Sequence, residues 1–325
     1  KNHGLIFVLD WSGSMNSVML DTMKQLFNLI WFCRKVSIPF DVFAFTNEYN
    51  YMTWDENDKP VYPEPHYEKK DATLVVNDHF SMMNSLTSNV NNQVLEKQMK
   101  SLHRIAFGFT KYVEYSVPNR MGLSGTPLNE ALISLHNIIP AFKKQYSLEK
   151  VQCIVLTDGE ANQLSYHTEI KIGRSEPYIG NRRCDCECTL LRDRKLGTNY
   201  KFGWGYHEFT KTMLRNLKDK FPQVNFIGIR VIEGRNINGF IKLFYSSYNE
   251  VNKLQQEWRK TRSICIKDSG YDAYFALSSS SLSQDSSFDV DDGATKAKIK
   301  SAFVKSLKVK KLNKKVLGEF ISLVV

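Results

Sequence analysis

Apolar positions along the chain recur with two periods. Leu5–Asp10 is an unbroken apolar run closed by an acidic residue, which predicts a strand buried on both faces. Met15–Lys35 follows with Met19, Met23, Leu26, Phe27, Ile30 and Trp31 on one helical stripe. Pro39–Phe45 reads as a second strand. A strand, a helix and a strand in this order imply a parallel sheet with helices on both faces. Farther on, Gln93–Phe107 reads as a helix and Arg120–Thr126 as a glycine-rich loop. Pro127–Lys144 reads as a helix, with Thr126 as its N-cap and Pro127 pre-set for the first turn. Val151–Thr157 is a buried strand that also ends in an acidic residue, Asp158. Glu208–Phe221 reads as a helix, Val224–Ile232 as a strand, Asn238–Tyr248 as a short helix and Tyr271–Leu277 as a last strand.

Two polar stretches interrupt this alternation. Asn47–Asn77 is rich in Tyr, Pro, Asp and Glu, and Gly159–Gly205 shows no clear period. The pattern predicts a doubly wound, mostly parallel α/β domain over residues 1–277, with insertions at about 47–77 and 159–205. A Ser- and Asp-rich linker is expected over 278–293 and C-terminal helices over 294–325. The first strand begins almost at Lys1, with no signal peptide read before it, so residues are expected upstream.

Composition changes little in that picture. Of the 325 residues 42% are hydrophobic and 24% charged, which is globular rather than disordered. No apolar run reaches membrane-spanning length. The net charge of +10 raises the question of nucleic acid. Much of the excess comes from Lys296, Lys298, Lys300, Lys305, Lys308, Lys310, Lys311, Lys314 and Lys315, with Ile299, Phe303 and Leu307 at helical spacing among them. That spacing reads as the solvated face of a helix, and no recognition motif accompanies it. Nucleic-acid binding by this basic end is the weaker alternative. Six cysteines are present, and Cys33 and Cys153 read as reduced core residues. This usage points to a reducing, cytoplasmic setting.

The chemistry sits elsewhere. Asp10-Trp11-Ser12-Gly13-Ser14 follows the first strand directly. A carboxylate and two hydroxyls at alternate positions turn their oxygens toward one point if the backbone bends at the glycine. Oxygen-only donors suit a hard cation such as Mg²⁺, Mn²⁺ or Ca²⁺ rather than zinc. Ser124-Gly125-Thr126-Pro127 adds a hydroxyl at a loop-to-helix junction, and Thr157-Asp158-Gly159 adds a carboxylate at a strand end. Each part has a structural alternative. Asp10 and Asp158 can be turn residues, and Ser12, Ser14 and Thr126 can be helix caps.

D-x-S-x-S, then a distant threonine, then a distant aspartate, resembles the metal-ion-dependent adhesion site of von Willebrand factor A domains. The resemblance runs from residue 1 to about 235. It implies Ser12 and Ser14 as direct ligands, Asp10 and Asp158 as the charge, and Thr126 as a direct or water-mediated ligand. It also implies one open coordination position, completed by a partner's carboxylate. Within the family, Arg120–Leu132 and Val151–Gly159 are similar to the CobT-like subunit of cobalt chelatase and to its relatives in large tailed bacteriophages. That narrower resemblance implies an AAA+ ATPase of the MoxR type as partner, in a remodelling or chelatase-type complex. It also implies the cytoplasm of a host cell as the setting.

Other chemistry finds less support. Cys184, Cys186 and Cys188, with His167 or His207, are a possible zinc site, but the spacing is not C-x₂-C and free thiols on a loop are the preferred reading. The chain has no phosphate-binding G-x-x-x-x-G-K-[ST] loop, no H-E-x-x-H and no nucleophile elbow. The expectation is therefore a binding module without intrinsic catalysis, or a non-catalytic subunit of a chelatase-like enzyme.

Overall fold

The structure is a computed structural model. It describes residues 2–35, 37–48, 53–61, 68–77, 79–110, 117–118, 121–157, 161–173, 176–232 and 237–278. The first half runs β1 (His3–Asp10), a 3-10 turn (Gly13–Ser17), α1 (Met19–Lys35), β2 (Phe40–Thr46), β3 (Thr53–Trp54), β4 (Pro60–Val61), β5 (Ser81–Thr87), α2 (Asn92–Thr110) and α3 (Leu128–Tyr146). The second half runs β6 (Lys150–Leu156), β7 (Ser165–Ile170), β8 (Tyr178–Arg183), β9 (Leu190–Asp193), β10 (Thr198–Lys201), α4 (Tyr206–Lys220), β11 (Val224–Ile232), α5 (Ile237–Phe244), α6 (Tyr248–Thr261), β12 (Ser263–Ile266) and β13 (Ala273–Ser278).

A seven-stranded sheet in the order β12-β13-β11-β6-β1-β2-β5 forms the centre. The five inner strands are parallel, and β5 and β12 close the edges antiparallel. Strand alternation divides the core into two layers. Leu5, Phe7 and Leu9 of β1 pack with Met19, Met23, Leu26 and Ile30 of α1 and with Leu95 and Met99 of α2. Ile6 and Val8 pack on the other face with Leu132, Leu135 and Ile139 of α3, Leu214 of α4 and Trp258 of α6. The architecture is the doubly wound α/β sandwich that the apolar pattern predicts.

Several elements differ from the sequence reading. The helix expected over Met15–Lys35 is broken, because a 3-10 turn precedes α1. β5, α6 and β12 were not legible. β5 and β12 lie at sheet edges, and α6 buries only Val251 and Trp258. Within the stretch read as having no clear period, Gly159–Gly205, the described residues include the hairpins β7–β8 and β9–β10. Apart from Ser278, which closes β13, the expected linker and C-terminal helices lie outside the described residues.

One close approach is set by a glycine. Gly228 lies in the middle of β11, and a Cβ there would come 2.5 Å from a Tyr274 ring carbon and 3.0 Å from one of Tyr271. Gly228→Ala is expected to lower the unfolding free energy by about 1–3 kcal/mol, read from urea unfolding midpoints.

Candidate metal centre

The first crossover carries the chain from β1 to β2 on one side, and β6 returns to pair with β1 on the other. The loops leaving the C-terminal ends of β1 and β6 therefore diverge, which opens a crevice at the switch point. Asp10 closes β1 and is fully buried. Its Oδ2 accepts a hydrogen bond of 2.6 Å from Oγ1 of Thr157, the residue after β6. Trp11 stays on the sheet, its N–H donating to the Phe45 carbonyl at 3.0 Å. At Ser12 the chain leaves the sheet and bridges to Ser124. Gly13 N–H donates to the Ser124 carbonyl at 2.6 Å.

Ser12 occupies the N-cap position of the 3-10 turn, yet its side chain makes no capping hydrogen bond. Its Oγ lies instead 3.1 Å from Oγ of Ser14. The bend expected at Gly13 does not use its conformational freedom. Its φ is not in the left-handed region, and a Cβ would meet nothing closer than the Ser124 carbonyl at 3.5 Å. Ser12 is extended, at φ −104° and ψ 165°, where the chain enters the turn, and Ser14 lies one residue inside it; in this arrangement the two hydroxyls meet.

Thr126 is buried two residues beyond Ser124. It is not the N-cap of α3. Pro127 holds that position with a non-helical ψ of 52°, and no side chain caps the helix. The Thr126 carbonyl accepts from the Asn162 N–H at 3.0 Å, which ties the loop beyond β6 to this one. Asp158 lies outside the described residues. Three hydrogen bonds thus join the three segments: Thr157 to Asp10, Gly13 to Ser124, and Asn162 to Thr126.

The donor set fits a small hard cation. Two cis ligands at the Mg²⁺–oxygen distance of ~2.1 Å lie about 3.0 Å apart. The Ser12–Ser14 separation of 3.1 Å matches this spacing.

Several supporting groups escaped the sequence reading. Trp11 does not face solvent. It is fully buried, its Nε1–H donates to the Met121 carbonyl at 2.6 Å, and its ring meets Phe109 edge-on at 5.9 Å. Glu48 Oε2 accepts from the Gly122 N–H at 2.7 Å, and Ser124 Oγ donates to the Asn47 carbonyl at 3.4 Å. The residues after β2 and the tryptophan after β1 therefore clamp the 121–126 loop. An acidic residue at a strand end was the only sequence signal for Glu48.

Glu130, in the first turn of α3, is buried and its Oε2 has no hydrogen-bond partner. Burial pushes its carboxyl up to about 7, and the hydrogen bond from its own backbone only partly opposes this. A helix N-terminus normally favours a carboxylate, so desolvation outweighs the dipole here. The fold holds Glu130 neutral more readily than the unfolded chain does. Its stabilising contribution is full at acid pH and is lost as pH rises toward about 7. Glu130→Gln is expected to leave stability near pH 4 unchanged and to raise it near pH 8 by up to about 3 kcal/mol. Urea unfolding at both pH values checks this.

The cysteines do not converge. Cys184 is buried in the same core layer as the apolar faces of α3 and α4, Cys186 is half-buried and Cys188 is exposed. Burial, reinforced by Asp185, pushes the Cys184 thiol up to about 11. His167 is buried in β7, and His207 sits 3.5 Å from Glu208. Among the described residues no three His, Cys, Asp or Glu side chains group as a metal site. All six cysteines are unbridged. No helix among the described residues is long and apolar enough to cross a membrane.

The two insertions meet each other. Ala72 N–H donates to the His167 carbonyl at 2.9 Å, His167 N–H to the Thr73 carbonyl at 2.8 Å, and Val75 N–H to the Ser165 carbonyl at 2.9 Å. Residues 72–75 thus extend the β7–β8 hairpin. The β9–β10 hairpin is fixed to α4 by Asn216 Nδ2 donating to Asp193 at 3.0 Å and Tyr200 OH donating to Asp219 at 2.8 Å.

No protein family matches the chain, and no curated protein does. Among solved structures it is similar to the pilus adhesin SpaC from Lactobacillus rhamnosus GG, with 12% identity over 81% of this chain and 32% of that one, and a TM-score of 0.39. It is similar to the adhesive tip pilin GBS104 from Group B Streptococcus agalactiae, with 12% identity over 79% and 62% and a TM-score of 0.35. It is also similar to the vWF domain of the type V pili tip protein Mfa5 from Porphyromonas gingivalis, with 9% identity over 79% and 95% and a TM-score of 0.32. The chain spans about a third of the length of the SpaC adhesin. These superpositions are too loose to carry an argument. The fold assignment rests on this chain's own strand order and crossovers.

Proposed function

We propose that this chain is a protein-interaction module of the von Willebrand factor A kind that works through a divalent cation, Mg²⁺ by donor chemistry. One observation carries the reading. Ser12 and Ser14 place two hydroxyls 3.1 Å apart beside the buried carboxylate of Asp10, at the point where three loops are tied together. Ser12 holds the N-cap position of the 3-10 turn without a side-chain capping bond, and Pro127 rather than Thr126 holds that of α3, so both hydroxyls are compatible with a ligand role.

In this reading Ser12, Ser14 and Thr126 hold the cation, while Asp10 and Asp158 supply the balancing charge. The bound cation supplies an electropositive point with one position open to a partner's carboxylate. Trp11 and Glu48 contribute by fixing the loops, so that little reorganisation accompanies binding. The partner is a protein with an exposed acidic side chain. The CobT-like resemblance favours an AAA+ ATPase that drives a remodelling or chelatase-type complex.

Water relaxation by Mn²⁺ tests the open position. Bound Mn²⁺ is expected to enhance water proton relaxation, and a peptide carrying one glutamate to lower that enhancement. An enhancement that the peptide leaves unchanged, while its glutamine counterpart behaves the same, contradicts the reading.

A further inference from the structure

The joined insertions present a strand edge whose main chain faces outward. His167 and Ser165 of β7 direct their main-chain groups toward residues 72–75. Successive residues of a strand alternate in direction, so Tyr166, Thr168 and Ile170 face β8. Their partners there are Arg182, Gly180 and Tyr178. It follows that Ile179, Asn181 and Arg183 point their N–H and C=O groups away from β7. Among the described residues no strand pairs with that edge.

Charge says what fits it. Lys171, Arg182, Arg183, Arg192, Arg194, Lys195 and Lys201 are all exposed, and among the described residues none joins an ion pair. The same hairpins carry five acids, Glu169, Glu176, Asp185, Glu187 and Asp193, two of which also accept local hydrogen bonds. Asp185 accepts the N–H groups of Glu187 and Cys188, and Asp193 accepts those of Lys195 and Leu196 together with the Asn216 amide. With seven such cations against five acids, the described residues of the hairpins keep a net positive charge around an unpaired edge. Arg182 and Arg183 project to opposite faces of that edge, so they flank any strand added there.

We propose that the outer edge of β8 receives an extended acidic segment of a partner protein as an added strand. The main chain of Ile179, Asn181 and Arg183 pairs with it, and the arginines meet its carboxylates. This goes beyond the cation reading and does not depend on it, because the edge requires no metal.

The test uses a fluorescein-labelled alternating Glu-Val decapeptide and fluorescence polarisation in EDTA, which removes the cation site from the measurement. Binding is expected, weakening with salt. Asn181→Pro removes one outward N–H without touching the β7 ladder and is expected to weaken binding by about tenfold. The double variant Arg182→Glu, Arg183→Glu is expected to abolish binding to this peptide and to admit the Lys-Val counterpart instead. The second variant keeps the test decisive if proline disturbs the hairpin. Three results overturn the proposal: no binding of the acidic peptide, binding indifferent to both variants, or a dT oligonucleotide that binds more tightly and displaces the peptide.

Discussion

Trp11→Ala is expected to lower the unfolding free energy by about 4 kcal/mol, among the largest effects of any single truncation near the rim. The indole is fully buried, meets Phe109 edge-on and satisfies the Met121 carbonyl. Truncation leaves a cavity and a buried acceptor without its donor, and both terms act in the same direction. The effect reaches beyond stability. Met121 opens the loop that carries Ser124 and Thr126, so releasing it loosens one of the three segments at the site. Divalent-cation affinity is expected to fall although Trp11 donates no ligand. Trp11→Phe keeps most of the packing and loses the hydrogen bond, and about 1–2 kcal/mol is expected for it. Urea unfolding and a cation titration on the same samples separate the two effects. Full cation affinity in a folded Trp11→Ala protein would show that the clamp is dispensable.

Asp10→Asn is expected to do the reverse: to spare the fold and remove the cation response. Asparagine keeps the shape and an acceptor for the Thr157 hydroxyl, which lies 2.6 Å from the carboxylate in the structure. In EDTA the variant is expected to lie within about 1 kcal/mol of the parent, since a buried carboxylate beside a neutral hydroxyl is itself costly without a cation. With cation at a hundred times its Kd the parent gains about 2.7 kcal/mol, and the variant gains none. Thermal unfolding in EDTA and in MgCl₂ reads both values.

The contrast between these residues shows what was legible in the chain. Asp10, Ser12 and Ser14 were readable because their pattern is local, and because a buried apolar run placed them at a strand end. The doubly wound core was readable for the same reason, since β1, β6 and β11 are apolar on both faces. The clamp was not readable. Trp11 is separated from Met121 by 110 positions, and Glu48 from Gly122 by 74, so only the folded chain joins them. The hairpins in 165–201 were missed because their strands are short and largely exposed, which leaves no apolar alternation to detect. β5 carries only one buried side chain, Leu86, and reads as loop for the same reason. Thr126 was misplaced as a cap by one residue, and helix ends are where propensity is weakest.

Isothermal titration of the EDTA-treated protein with MgCl₂, repeated on the double variant Ser12→Ala, Ser14→Ala, bears most directly on the cation reading. The expected result is one ion per chain in the parent and no binding in the variant, with both proteins folded. Absence of binding in the parent, or equal binding in the variant, contradicts the assignment of Ser12 and Ser14 as ligands.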